Sequence, residues 1–136
     1  MQIRILYVED HPQNMLLVRR IVEAEGYELL EAENGTVGWE TAVSQKPDLI
    51  LMDLHLPGAI SGIELTKKLK QDDHLRSIPV IALTAYGHGA VEEMAMAAGC
   101  DDFLHKPADI RQIRAAIKQH LNLQQPQTQP AIYAFI

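Results

Sequence analysis

The feature that most constrains this chain is a short apolar run between two prolines that ends in a single acid. Residues 49–52 are all apolar, Asp53 follows directly, and Pro47 and Pro57 flank the run. Such a segment is typical of a strand buried on both faces of a parallel sheet, and the prolines exclude a long helix. Open α/β sheets place their ligand crevice at the carboxyl ends of such strands. Because a buried carboxylate is costly without a cation, a metal or a proton, Asp53 is a candidate functional residue.

Length and composition indicate one ordinary globular domain. The 136 residues are 47% hydrophobic and 22% charged, which is typical of a domain with a substantial core. The net charge of −6 argues against nucleic acid as a partner, because phosphate binding needs a basic surface. The single cysteine, Cys100, fits a reducing compartment. Without a signal peptide or an apolar stretch near the ~20 residues that span a bilayer, we expect a cytoplasmic protein with no membrane partner.

Strand and helix patterns alternate five times along the chain. Strands are predicted at 3–8, 27–32, the run that ends at 53, 78–84 and 102–105. Helices are predicted from Pro12 to the stop at Gly26 and then at 37–43, 63–69, 90–98 and 110–121. This alternation predicts an α/β fold with a five-stranded parallel sheet and helices on both faces.

Residues 122–136 differ in character from residues 1–121, which we predict to be the folded domain. The first part of this tail is rich in glutamine and proline, as expected of a polar linker, and residues 131–136 are apolar. Two interpretations remain open. The tail is either a frayed end or a segment that docks on a partner or on the domain itself.

Polar residues with complementary chemistry fall at the predicted carboxyl ends of four strands. They are Glu9 and Asp10 after the first strand, Asp53 after the third, Thr84 at the end of the fourth and Lys106 after the fifth. Because these ends share one edge of a parallel sheet, the residues converge. Two carboxylates about 4 Å apart repel by roughly 4 kcal/mol at an effective dielectric constant of about 20. The cluster therefore needs a hard cation, and its oxygen ligands favour Mg²⁺ or Mn²⁺ over zinc.

The same group suits phosphoryl transfer. Lys106 adds a positive charge and Thr84 a hydrogen-bond donor, and catalysis of this reaction consists mostly of positioning and charge neutralisation. Carboxylates form aspartyl-phosphates, so Asp53 is the natural nucleophile.

The chain resembles a response-regulator receiver domain of a two-component phosphorelay over residues 3 to about 121. The resemblance rests on Val8-Glu9-Asp10, on residues 47–53 with Pro57, on residues 82–85 and on Lys106-Pro107. It implies the strand order 2-1-3-4-5 of a flavodoxin-like, CheY-like (βα)5 sandwich. Within the family, residues 14–15 and 77–85 are most similar to single-domain regulators of cell-cycle type and to receivers attached to hybrid kinases.

The resemblance implies a role for each residue of the cluster. Asp53 would accept a phosphoryl group from the phosphohistidine of a sensor histidine kinase or phosphotransfer protein. Asp10, Asp53 and the backbone carbonyl of His55 would hold the metal ion, with Glu9 acting through water. The domain would phosphorylate and dephosphorylate itself rather than act as a classical enzyme.

The resemblance also implies how phosphorylation would be read by partners. Thr84 and Lys106 would bind the phosphoryl oxygens, and Phe103 would turn inward as the aromatic switch when Thr84 moves towards them. A downstream protein would bind the face formed by the fourth helix, the fifth strand and the fifth helix. We expect a monomer or weak dimer whose output is protein–protein contact.

Some positions depart from the usual family pattern. The loop between Pro57 and Gly62 is one residue longer, and Phe103 replaces a frequent tyrosine. His55 and Tyr86 occupy variable positions at which we expect an influence on the lifetime of the phosphoryl group. The family also implies a cis peptide bond before Pro107.

Other functional classes fit the residues less well. A phosphatase of α/β type needs a second acid two positions after its nucleophile, where this chain has His55. A phosphate-independent scaffold with a decayed pocket would not keep the complete polar cluster. The six histidines include no pair four residues apart on a helix, so the sequence does not predict a transition-metal site. Cys100 is expected to be a small buried residue rather than a reactive thiol.

Overall fold

Five strands and five helices alternate along the chain in a computed structural model that describes residues 2–85, 89–106 and 108–124. The strands are β1 Arg4–Val8, β2 Glu28–Ala32, β3 Leu49–Met52, β4 Val80–Thr84 and β5 Asp102–His105. The helices are α1 Pro12–Ala24, α2 Gly35–Gln45, α3 Gly62–Gln71, α4 Gly89–Ala98 and α5 Ile110–Gln124. The strands pair in parallel in the order β2-β1-β3-β4-β5. The predicted fold class and strand order are confirmed.

The apolar run of β3 lies between two hydrophobic cores. Ile50 and Met52 pack into the core under α2, α3 and α4, and Leu49 and Leu51 pack into the core under α1 and α5. Successive side chains of a strand point to opposite faces, so a strand with helices on both sides needs an apolar residue at every position. Because both faces of β3 are buried, the strand is held firmly in the sheet, and Asp53 is held at its carboxyl end.

Caps and close backbone contacts fix the loops that surround the carboxyl edge of the sheet. The hydroxyl of Ser61 accepts a hydrogen bond from the N–H of Glu64, whose carboxylate accepts one from the N–H of Ser61, so α3 begins at a capping box. Gly62 leaves no room for a side chain, because a Cβ there would lie 2.2 Å from the carbonyl oxygen of Asp53. In the same loop Gly58 adopts φ +94°, a left-handed conformation that glycine accommodates without a steric penalty.

Some predictions concern residues that the structure does not describe. Tyr86, Pro107 and residues 125–136 lie outside the described ranges, so the influence of Tyr86, the cis bond and the role of the tail stay predictions. The folded domain was predicted to end at residue 121, and α5 continues three residues further, to Gln124. Among the described helices, none combines the length and apolar character needed to cross a bilayer.

Candidate functional site

The carboxyl ends of β1 and β3 bring the predicted carboxylates together. Val8 and Met52 are register partners in these neighbouring strands, and the N–H of Asp53 donates to the carbonyl of Val8 at 3.0 Å. Asp53 and the acid pair that follows Val8 therefore leave the sheet at the same level. Ligand atoms of four residues lie within 4.8 Å of one another: Glu9, Asp10, His11 and Asp53. Three of these were predicted from the sequence, and His11 was not.

Lys106 joins this cluster from the end of β5. Its backbone N–H donates to the carbonyl of Thr84 at 2.8 Å, which anchors the residue beside the end of β4. Its ammonium group donates to Oε1 of Glu9 and lies 3.7 Å from Oδ2 of Asp53. One cation therefore serves two carboxylates.

Glu9 is an anion held by several donors. The Tyr7 hydroxyl donates to Oε1 at 2.6 Å, and the backbone N–H of His11 donates to Oε2 at 3.2 Å. Burial by itself would raise the pKa of Glu9, but the hydrogen bonds from Lys106 and Tyr7 lower it to about 2. In return, burial and the bond to Glu9 raise the pKa of Tyr7 well above its usual range. Glu9 is therefore charged at neutral pH, and Tyr7 stays a neutral donor.

Asp53 is buried like Glu9, but fewer hydrogen-bond donors and cations stabilise its negative charge. Its Oδ1 accepts a hydrogen bond from the N–H of His55 at 3.1 Å, and only 4% of the residue is exposed. Burial and the charge of Glu9 raise the pKa of Asp53 to about 6, against the opposing effects of His55 and Lys106. The negative charge of Asp53 is thus the least stabilised of the buried carboxylates.

Asp10 offers an oxygen that fits a cation. Its Oδ1 is buried and accepts no hydrogen bond from any residue that the structure describes, although Nδ1 of His11 is 3.3 Å away. Buried polar atoms normally have partners. An unsatisfied carboxylate oxygen beside two further carboxylates fits a hard divalent ion.

Thr84 and Phe103 lie on the last two strands beside the cluster. Thr84 is fully buried at the end of β4 and is the register partner of His105 in β5. Phe103 is half-buried against the core under α4, and its ring lies edge-on to that of His105 with centroids 5.0 Å apart. The two predicted switch residues therefore lie on neighbouring, paired strands, Thr84 in β4 and Phe103 in β5.

Two members of the site, Tyr7 and His11, were missed by the sequence analysis. Tyr7 counts as an apolar residue within a strand pattern, yet it is two positions before Glu9 and shares its face of the sheet. His11 has no second histidine at helical spacing, so it was not considered as a metal ligand. The feature that could have identified it is its position directly after the acid pair.

Together, the fold and the site define an open parallel α/β protein with an acidic, lysine-containing crevice at the carboxyl edge. The family model described as response regulator receiver domain matches residues 5–118. The chain belongs to this family, and its function is that of a receiver domain in two-component signalling.

Individual relatives agree with this assignment. The polar-differentiation response regulator DivK of Brucella anthropi is 44% identical over 117 residues, which cover 86% of this chain and 94% of the relative. A CheY-like receiver domain protein from Methanospirillum hungatei superimposes with a TM-score of 0.85 at 28% identity, covering 91% of this chain and 97% of that one. The receiver domain of the sensor histidine kinase PA1611 from Pseudomonas aeruginosa gives a TM-score of 0.82 at 29% identity, covering 89% and 98%. That structure contains a magnesium ion in its active-site cleft.

Proposed function

We propose that this receiver domain is a phosphorylation-dependent switch in which Asp53 accepts the phosphoryl group. The observation that carries the proposal is the state of the Asp53 carboxylate, which is buried, incompletely compensated and 3.7 Å from the ammonium of Lys106. Its Oδ1 is engaged by the N–H of His55, so Oδ2, on the side of Lys106, is the attacking oxygen. A nucleophile and a cation at this separation suit the transfer of a trianionic group.

The donor is the phosphohistidine of a sensor histidine kinase or a phosphotransfer protein. Oδ2 of Asp53 forms a bond to phosphorus as the bond between phosphorus and the imidazole nitrogen breaks, and the released imidazole takes up a proton. Lys106 and the hydroxyl of Thr84 bind the phosphoryl oxygens, and Glu9 holds Lys106 at the crevice beforehand. Charge neutralisation by positioned groups is the main contribution a protein makes to this reaction.

The acidic cluster is also the metal site of this proposal. Asp10, Asp53 and the backbone carbonyl of His55 would hold Mg²⁺ or Mn²⁺, with Glu9 acting through water. The unsatisfied Oδ1 of Asp10 supports this assignment, as does the magnesium in the PA1611 receiver. When bound, such an ion neutralises carboxylate and phosphoryl charge during transfer.

The phosphorylated state would be read by a downstream protein at the face of α4, β5 and α5. Ile110 at the start of α5 is a large apolar side chain with 47% exposure, and α4 carries two more exposed apolar side chains, Met94 at 55% and Met96 at 46%. Phe103 lies in β5, the strand that pairs with β4 and its Thr84, which supports its role as the switch. We propose a cytoplasmic monomer or weak dimer that works through this contact.

Acetyl phosphate as the donor tests the proposal without a kinase. Wild type, Asp53→Asn and Asp48→Asn are incubated with acetyl phosphate and Mg²⁺, and the phosphorylated fraction is followed by intact mass. Asp48 is the matched control because it precedes β3 at the opposite edge, and its Oδ2 accepts the N–H of Arg4 at 2.8 Å, a bond that asparagine can keep. We expect base-labile label on wild type and Asp48→Asn, none on Asp53→Asn, and loss of label with EDTA. Equal labelling of Asp53→Asn would assign the phosphoryl group to another residue, and no label on any protein would favour a phosphate-independent scaffold.

A further inference from the structure

The structure points to His11 as a nitrogen ligand that gives the acidic site a preference for first-row transition ions such as Ni²⁺ and Co²⁺. The inference rests on the proposed function in one respect, because it takes the cluster to be a divalent-cation site. It adds a residue that determines which ion the site prefers. Carboxylate, carbonyl and water ligands by themselves suit Mg²⁺ and Mn²⁺.

The distances around His11 match those between ligands that share one ion. Nδ1 of His11 lies 3.3 Å from Oδ1 of Asp10, which is one of the proposed direct ligands, and a hydrogen bond of 3.2 Å to Oε2 of Glu9 keeps the ring in this position. Ligand atoms at about 2.1 Å from a common ion are separated by about 3.0 to 3.4 Å in octahedral or tetrahedral geometry. The imidazole nitrogen therefore already lies at the spacing expected of a neighbouring ligand.

The backbone holds the imidazole in this place. His11 precedes α1 with extended dihedral angles, φ −86° and ψ 117°, and Pro12 restricts the residue before it to this region. The side chain makes no capping hydrogen bond to α1. It instead turns towards Glu9 and Asp10, and its 68% exposure leaves room for the ring to adjust to an ion.

Ligand chemistry then sets the preference. Mg²⁺ favours oxygen and keeps several waters, so an added imidazole changes its binding little relative to other ions. Imidazole suits nickel, cobalt and zinc ions, and the affinity of nitrogen-containing sites rises from Mn²⁺ to Ni²⁺. With Oδ1 of Asp10 unsatisfied among the described residues, His11 and Asp10 form a mixed nitrogen and oxygen pair for such an ion.

The test is calorimetric titration of Ni²⁺ and Mg²⁺ into protein that carries no polyhistidine tag. Wild type is compared with His11→Phe and with His74→Phe, the matched control, because His74 is exposed in the segment between α3 and β4. We expect the ratio of Ni²⁺ to Mg²⁺ affinity to fall at least about tenfold in His11→Phe and to stay at the wild-type value in His74→Phe. Circular dichroism verifies the fold, and His11→Asn replaces His11→Phe if the latter does not fold.

The outcomes separate this inference from the proposed function. An unchanged affinity ratio in both His11→Phe and His11→Asn, with Mg²⁺ still bound by wild type, overturns the role of His11 and leaves the proposed function intact. A wild-type protein that binds neither ion overturns both. The visible absorption of bound Co²⁺ provides a second readout, because its spectrum should change when the nitrogen ligand is lost in His11→Asn.

Discussion

Charged groups at the two edges of the sheet are satisfied to different degrees. At the amino edge, the ammonium of Lys70 donates to the carbonyls of Ile78 at 2.8 Å and Arg76 at 3.2 Å and lies 2.9 Å from Oδ2 of Asp101. The same Oδ2 accepts the N–H of Val80 at 2.8 Å. Each of these groups has a hydrogen-bond partner or an ion-pair partner. Together they link the end of α3 to the starts of β4 and β5.

The carboxyl edge brings three carboxylates together, those of Glu9, Asp10 and Asp53. Lys106 is divided between Glu9 and Asp53, and Oδ1 of Asp10 has no donor among the described residues. Asp53, beside the charge of Glu9, has a raised pKa.

The difference shows that charged groups at the sheet edges serve two purposes in this fold. A satisfied polar set such as that of Lys70 fixes the geometry of a sheet edge. An incompletely satisfied set costs stability in the free protein, and it is found where a ligand supplies the missing charge. The contrast predicts that neutralising a carboxylate has opposite effects on the free energy of unfolding at the two edges.

The largest expected effect comes from Gly62→Ala, which breaks the geometry of the carboxyl edge. The new Cβ would lie 2.2 Å from the carbonyl oxygen of Asp53 and 2.6 Å from Cα of Leu54, so backbone must move. We expect urea denaturation to give a free energy of unfolding lower by about 3 kcal/mol or more, with loss of phosphorylation by acetyl phosphate. Gly26→Ala is the control, since its φ of +82° causes strain but its Cβ meets no described atom within 4 Å; a loss of about 1 kcal/mol is expected. Equal losses in the two variants would contradict the steric argument.

Lys70→Met breaks the satisfied set at the amino edge while keeping the length of the side chain. Asp101 and the carbonyls of Ile78 and Arg76 would lose their shared donor. We expect the free energy of unfolding to fall by about 2 kcal/mol, because the part-buried carbonyl of Ile78 loses its donor and Asp101 loses its ion pair. Phosphorylation at the other edge should be retained in the fraction that is folded. A loss below about 0.5 kcal/mol, the size of an ordinary surface substitution, would show that the set is unimportant.

Neutralising one carboxylate at each edge sharpens the comparison. In EDTA at neutral pH, Asp53→Asn should raise the free energy of unfolding by about 1 kcal/mol, because it removes a buried charge that faces Glu9. Asp101→Asn should lower it by about 1 kcal/mol, because it weakens the bonds to Lys70 and Val80. Changes of the same sign, measured by urea denaturation, would contradict the proposed difference between the edges.

A pH-dependent effect, no larger than these, concerns Cys100 beside the amino edge. Burial raises the pKa of its thiol from 9.0 to about 11, so folding favours the neutral thiol. This contribution to stability is complete below pH 9 and is lost as the pH rises through about 11. Relative to Cys100→Ala, wild type should therefore lose about 1 kcal/mol of unfolding free energy between pH 9 and 10. A constant difference across this range would show that the thiol ionises freely in the folded state.

Much of the site could be predicted because strand ends carry positional information. The apolar run before Asp53 identifies a doubly buried strand, and parallel strands bring Glu9, Thr84 and Lys106 to the same edge without any knowledge of side-chain packing. Helix starts were less accurate. The helix predicted from Val37 begins at Gly35, because the side chain of Asn34 caps it.

The remainder depends on contacts that no local pattern encodes. Tyr7 and Glu9 are two positions apart, so their side chains share one face of the sheet and can form a hydrogen bond. In a strand of apolar residues, however, Tyr7 is counted as one more apolar residue. The set around Lys70 forms only because the end of α3 meets Asp101, 31 residues later in the chain. His11 enters the site through the bend before Pro12, which sequence spacing does not reveal.

The most direct test of the central claim measures the stability that Mg²⁺ adds to wild type, Asp53→Asn and Asp48→Asn. If the uncompensated carboxylates of the carboxyl edge form the ligand site, Mg²⁺ at a hundred times its dissociation constant should stabilise wild type and Asp48→Asn by about 2.7 kcal/mol. Asp53→Asn should gain much less, because a charged ligand is missing. An equal gain in all three proteins, or no gain in wild type, would contradict the claim that this edge holds its charges for a cation and a phosphoryl group.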